Sequence, residues 1–356
     1  MSLLLQLPRR VPKRFESLNL LPLSIEGPKQ LRKDFIVSNA TKLISISSSS
    51  INAVGGSLRL ENLQLLSSCN LQSLTSVVDM TLLNLPQLNG LTLGTEGVTK
   101  ARRISIADTF ISDLTGLNIA SAESIDISNN PKLTTFDSPL VNVTKSLKLV
   151  NNGNNMQVNM SSLQTCGEIQ FRQVKSFDAP VLSMAGSIKF NDSPELLSVS
   201  CSNLTDIAFS LTLINNKKLN RLSFPMLKTI KGDMTIQNNT ALQQIDGFPK
   251  VESVGNILLR GNFRNVTLDQ LRDVKGSATA TSTTDISAFC DFFSDLKKKG
   301  NIRGKESCTS NNKNAIEDGS NGQANSDKEK DAAGIVGVNS ALLSVALVAT
   351  LVHMVL

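Results

Sequence analysis

A phrase of about 22 residues recurs along this chain, and it leaves few folds open. Residues 231–248, KGDMTIQNNTALQQIDGF, show it clearly. Met234 and Ile236 alternate with polar residues, a turn follows at Asn238-Asn239-Thr240, and Leu242 and Ile245 close the unit. The first apolar residue of each copy is Leu58, Met80, Ile104, Ile125, Leu147, Ile169, Ile188, Leu211, Met234, Ile257 and Ala278. Ten steps cover 220 residues, or 22 per step. Two residues further on, each copy has a second apolar residue, as in Leu60, Leu82 and Ile106. Apolar residues at period 2 describe a short strand with one buried face.

Four residues past each anchor the column turns polar. It reads Asn62, Asn84, Asp108, Asn129, Asn151, Gln173, Asp192, Asn215 and Asn238, then lapses at Gly261 and Ser282. Parity with the anchors predicts that these side chains point inward, as an Asn ladder linking successive corners. A second apolar pair follows (Leu219 and Leu222, Leu242 and Ile245), then a third run such as Phe224 to Ile230. Three short apolar segments per unit, without helical periodicity, predict a mainly β chain. The expected fold is a right-handed parallel β-solenoid, L-domain or leucine-rich-repeat-like, of about eleven coils of ~22 residues.

The repeat is read over 39–287, with residues 1–38 as an atypical N-terminal segment. MSLLLQLPRRVPKR has charge after its short apolar run rather than before it, unlike a secretory leader. The expectation is therefore a true start lying upstream. Residues 288–310 are read as a small helical cap closed by a Cys290–Cys308 disulfide, worth about 3 kcal/mol by loop entropy. The pairing of Cys69, Cys166 and Cys201 is left open. With no Trp, no Tyr and 14 Phe, an aromatic-lined catalytic pocket is not expected. The net charge of +6 is concentrated partly at Arg9, Arg10, Lys13 and Arg14 and partly at Lys297, Lys298, Lys299, Arg303 and Lys305. Neither cluster is interleaved with aromatics, so nucleic acid is not an expected partner.

Residues 311–331 are polar and read as a disordered linker. Residues 332–356 are apolar to the end of the sequence, with no basic residues after them. The tail has two membrane readings, a single spanning helix or the removable half of a GPI-attachment signal, and the small residues, polar spacer and apolar tail without basic residues after it favour the GPI signal. Asn325 is the expected attachment residue, with Ser320 and Gly322 as alternatives, and the membrane is reached through the GPI lipid. Seven Asn-x-Ser/Thr sequons stand at Asn39, Asn142, Asn159, Asn191, Asn203, Asn238 and Asn265. Asn238 falls in the ladder column, so the inward reading makes its glycosylation doubtful.

The only histidine, His353, lies in the apolar tail, which removes Ser-His-Asp and Cys-His chemistry from a processed chain. Carboxylates on neighbouring coils, Asp108 with Asp126 and Asp178 with Asp192, are the remaining candidates for glycosidase-type chemistry. They occur singly rather than in a cluster. No catalytic, cofactor or metal site is expected.

Taken together, SIDISNNPKL (124–133), GDMTIQNNTALQQIDGFPKVESVG (232–255) and RGNFRNVTLDQLRDVKG (260–276), with the late cysteines and apolar tail, resemble the fungal GPI-anchored cell-wall organisation proteins, among them the sporulation-specific wall proteins. The resemblance covers about 39–356. It implies a surface or wall-attached glycoprotein needed for wall assembly, in some members for the spore wall, and carries no catalytic activity with it. The expected partners are wall glucan or wall proteins, bound without turnover. The alternatives are a membrane-anchored receptor ectodomain and a wall-polysaccharide-modifying enzyme.

Overall fold

The computed structural model describes residues 22–316, together with the backbone of two short strands at Leu3–Gln6 and Arg14–Glu16. All strand pairings are parallel, and they stack about twelve coils into a β-solenoid. Each of the eleven anchors stands opposite the next. Leu58 pairs with Met80, Met80 with Ile104, Ile104 with Ile125, and so on through Ile257 with Ala278. Ile125, Leu147, Ile169, Ile188, Leu211 and Met234 are at most 1% exposed. The anchors therefore run as one buried column. Stacking buries what a single coil cannot.

Most coils among the described residues present three faces. The longest face carries the anchors, for example in Arg103–Thr109, Ser121–Ser128 and Leu211–Ile214. This long sheet continues through all the coils. A second face carries short strands such as Ser68–Leu71 and Gly90–Leu93, then Thr135–Asp137 and Met156–Asn159. These fall into separate sheets, because residues 110–116 form no strand between Leu93 and Thr135. A third face supplies two-residue pairings, such as Asp206–Ile207 with Thr229 and Ile230. The third apolar run fills the core beneath it: Phe224, Leu227 and Ile230 are fully buried, and Phe224 stacks on Phe248 at 5.1 Å.

The polar column occupies the corner between the long and second faces, but not as parity predicted. From Asn39 to Asn238, ten successive corner residues have φ between 49° and 61°. Asn and Asp tolerate this left-handed conformation better than other side chains. A left-handed residue breaks the pleat alternation. The corner side chain stays at the surface, and the next residue turns inward. The inward ladder is thus one position later, at Asn130, Asn152, Asn216 and Asn239, each at most 4% exposed. Asn216 Nδ2 donates to Phe190 O at 2.9 Å, and its Oδ1 accepts from Ser193 N at 3.0 Å. Asn130, Asn152 and Asn239 repeat this arrangement. The corner residues form a separate outer chain: Asn62 donates to Asn39, Asn84 to Asn62, Asn129 to Asp108 and Asn215 to Asp192.

Both boundaries of the repeat move outward. Phe35–Ser38 pairs in register with Leu58 to Glu61, and Leu23–Glu26 with Ile46 and Ser47. The solenoid therefore already includes residues assigned above to a separate segment 1–38. At the other end, the helix Ser287–Lys298 buries Phe289, Phe293 and Leu296. The chain then returns to the long sheet as Glu306–Thr309, pairing with Ala278 to Thr281. Residues 288–310 are thus partly cap and partly a last strand. Order extends past 311 into the short helical turn Lys313–Ala315.

Candidate interaction face

Along the long sheet, side chains between the anchors face outward, so the parallel register lines them up in columns. One column runs Arg59, Thr81, Ser105, Asp126 and Lys148; its neighbour runs Asp79, Arg103 and Ser124. Charges of opposite sign from adjacent coils meet there. Asp79 accepts from Arg103 at 2.7 Å and from Arg102 at 3.2 Å. Asp126 pairs with Lys148 at 3.1 Å, and Glu168 with Lys189 at 2.7 Å. Beside them, Lys145 and Arg102 bracket Glu123. The hydrogen bond from Arg103, with that of Arg102 and both positive charges, holds the Asp79 carboxyl below the usual range against its partial desolvation. Lys145 does the same for Glu123.

The sequon asparagines avoid the middle of this sheet. Asn159 and Asn265 lie on second-face strands, Asn203 in the turn after one, and Asn142 where a third-face strand begins. Asn39, Asn191 and Asn238 sit at or beside the corner along one margin of the long sheet. Asn39, Asn159, Asn203 and Asn265 are exposed, while the other three are half-buried. Asn238 does not take the inward place, which Asn239 holds, but it stays half-buried.

Cys290 and Cys308 form a disulfide between the cap helix and the last strand. Cys69, Cys166 and Cys201 are free and buried. Burial pushes the Cys69 and Cys166 thiols up to about 12, and Cys201 higher still. Part of the C-terminal basic cluster is internally engaged: Lys297 donates to the Ile302 and Gly304 carbonyls, Lys298 pairs with Asp295, and Arg303 pairs with Asp273. The sites at Ser320, Gly322 and Asn325, His353, the tail 332–356 and Arg9, Arg10 and Lys13 lie outside the described residues.

The carboxylates offered for catalysis are not brought together as pairs. Asp108 accepts from Asn129 at the outer corner, while Asp126 stands on the long sheet opposite Ser105. Asp192, also a corner residue, takes Asn215 and Arg172, whereas Asp178 ends a second-face strand. Among the described residues, no group of three or more His, Cys, Asp or Glu could hold a metal ion. What sequence reasoning did not single out is the outward set between the anchors. Its signal was available, since every residue flanked by Leu58 and Leu60, or by Ile104 and Ile106, must face solvent.

Fold and surface define a class: parallel β-solenoids that present one continuous sheet along the stack. A cell surface GPI-anchored protein of Arthroderma benhamiae is 30% identical over 289 residues, 80% of this chain and 73% of that protein. The protein ecm33 of Aspergillus fumigatus is 29% identical over 307 residues, 85% and 76% of the two chains. Sporulation-specific protein 2 of Saccharomyces cerevisiae is 28% identical over 292 residues, 81% of this chain and 58% of that one. No family model and no solved structure matches. The chain belongs to the family of fungal GPI-anchored cell-surface and cell-wall proteins. Its place is the cell surface or wall, and its role lies in organising the fungal cell wall.

Proposed function

We propose that the chain serves wall organisation by binding rather than by turnover, and that the long sheet is its contact face. The observation that supports this reading is the placement of sequons. All seven lie on other faces or at one margin, so glycans at these sites leave the central columns of the long sheet uncovered. A sheet whose charges are paired between neighbouring coils is rigid and close to neutral, suited to holding an extended partner. The partner classes are wall glucan and wall proteins. Three of the four candidate carboxylates, Asp108, Asp192 and Asp126, are instead held in the corner chain and in an ion pair.

The test uses the full glycosylated chain and walls isolated from cells that lack it. Retention on the walls is expected, with no new reducing ends released. Release of reducing ends that stops on Asp126→Asn or Asp192→Asn would overturn the non-catalytic reading. Failure of the walls to retain the chain would overturn binding.

A further inference from the structure

Near the N-terminal third, the long sheet dips into a depression of about 380 Å³. Its floor and rim follow one outward column over four consecutive strands: Arg59, Thr81, Ser105 and Asp126. Asp79 and Arg103 line the adjacent column. Three inter-strand steps make the patch about 14 Å long, enough for several linked sugar units rather than one.

The chemistry of the lining is selective. Asp79 accepts from both Arg102 and Arg103, and Arg59 is held by Glu61 at 2.6 Å. The charged side chains that line the depression, Arg59, Asp79, Arg103 and Asp126, sum to zero, so an anionic ligand meets no net charge in the lining. The lining has no aromatic side chain, either to anchor a protein partner or to stack on a sugar ring, so recognition there rests on hydrogen bonds. What it offers is hydrogen-bond donors and acceptors: guanidinium edges, the four hydroxyls of Ser57, Thr81, Ser105 and Ser124, and two carboxylates. Asp126 accepts from Lys148 through Oδ2, while its Oδ1 has no partner in the protein. Neutral ligands dense in vicinal hydroxyls match such a surface, because each hydroxyl both donates and accepts.

We infer that this depression is a carbohydrate subsite that takes a short segment of a neutral polysaccharide, lying across the strands along the Arg59–Asp126 column. The inference rests on the reading of the long sheet as the contact face. It adds a place and a length, and narrows the partner at that place to carbohydrate.

The experiment presents the full glycosylated chain to immobilised neutral oligosaccharides of glucose, mannose or N-acetylglucosamine in graded lengths, with acidic oligosaccharides alongside. Binding to at least one neutral series is expected, strengthening over the first few units and insensitive to salt. Asp126→Asn and Thr81→Val should each weaken it by about tenfold, while thermal unfolding stays as in the parent. Both changes are near-isosteric at the surface, so folding is retained. Absence of neutral binding, binding indifferent to both substitutions, or binding confined to acidic chains and lost in salt would each overturn the subsite. If the Asp126→Asn chain is still held by isolated walls and its neutral binding is unchanged, the subsite fails while the wall-binding reading stands.

Discussion

At the scale of single residues, adjacent asparagines do different work. Asn215 and Asn216 are chemically identical, yet φ of +59° places one outside, and zero exposure places the other in the core. Asn216→Ala strands the Ser193 N–H and the Phe190 carbonyl, at a cost of about 2–4 kcal/mol. Asn215→Gly keeps the left-handed turn and should cost within about 1 kcal/mol. Urea unfolding of the two variants checks the order, and equal losses would place the inward ladder wrongly. The sequence showed that a polar column exists and fixed its spacing. It did not show which of two neighbouring asparagines turns in, because that depends on a backbone angle and not on side-chain type. Acid behaviour also belongs to this scale. Arg103 and Arg102 lower the Asp79 carboxyl below its unfolded value, so its contribution is present above the unfolded pKa and is lost as pH falls through the lower, folded one. NMR titration should find Asp79 still ionised where ordinary aspartates are protonated, and Asp79→Asn should flatten that part of the acid-unfolding curve. The buried thiols act in the opposite pH range. Cys69 and Cys166, held up at about 12, should resist alkylation in the native chain near pH 8 and react once it is unfolded.

At the scale of elements, the tight bend between the third face and the long sheet explains a run of small residues. A Cβ on Gly255 would stand 2.5 Å from Gly232 O and 2.8 Å from its Cα, both backbone atoms of the preceding coil. A Cβ on Gly261 would meet only the Phe263 ring, at 3.5 Å. Gly255→Ala should therefore destabilise by about 1–3 kcal/mol, by forcing two coils apart, while Gly261→Ala should be close to neutral. Thermal midpoints of the pair measure this. The cap offers a second test at the same scale. Reduction of Cys290–Cys308 should lower stability by about 3 kcal/mol, with hydrogen exchange rising first in Ser287–Lys298. The helix was visible in the spacing of Phe289, Phe293 and Leu296. The strand Glu306–Thr309 was not, because it presents no aliphatic residue and follows its predecessor only after the inserted helix.

At the scale of the whole solenoid, aliphatic spacing was a sufficient guide to register. All eleven anchors fall opposite one another, although single steps range from 19 to 24 residues. The corners and turns absorb those differences, which is why strand register survives them. The N-terminal boundary was legible too: Phe35, Val37 and Asn39 have the spacing of Leu58, Leu60 and Asn62. It was obscured by the charged residues before Phe35. The contact face was legible only as a complement of the core, since no motif marks outward Ser, Thr and paired charges. Glycopeptide mass spectrometry addresses the molecule as a whole. Exposed Asn39, Asn159, Asn203 and Asn265 should be more fully occupied than half-buried Asn142, Asn191 and Asn238. High occupancy at the half-buried sites with empty exposed ones would contradict the surface described here.

The inward ladder also has a direction. Asn152 reaches back to Asn130 and Ile127, Asn216 to Ser193 and Phe190, and Asn239 to Asn216 and Leu213. Each fastening is made by the later coil onto backbone that left the ribosome earlier. A nascent chain need not wait for residues still to come. As each coil emerges, it carries the side chain that locks it to the finished edge, so assembly can follow synthesis from the N-terminus, one layer at a time.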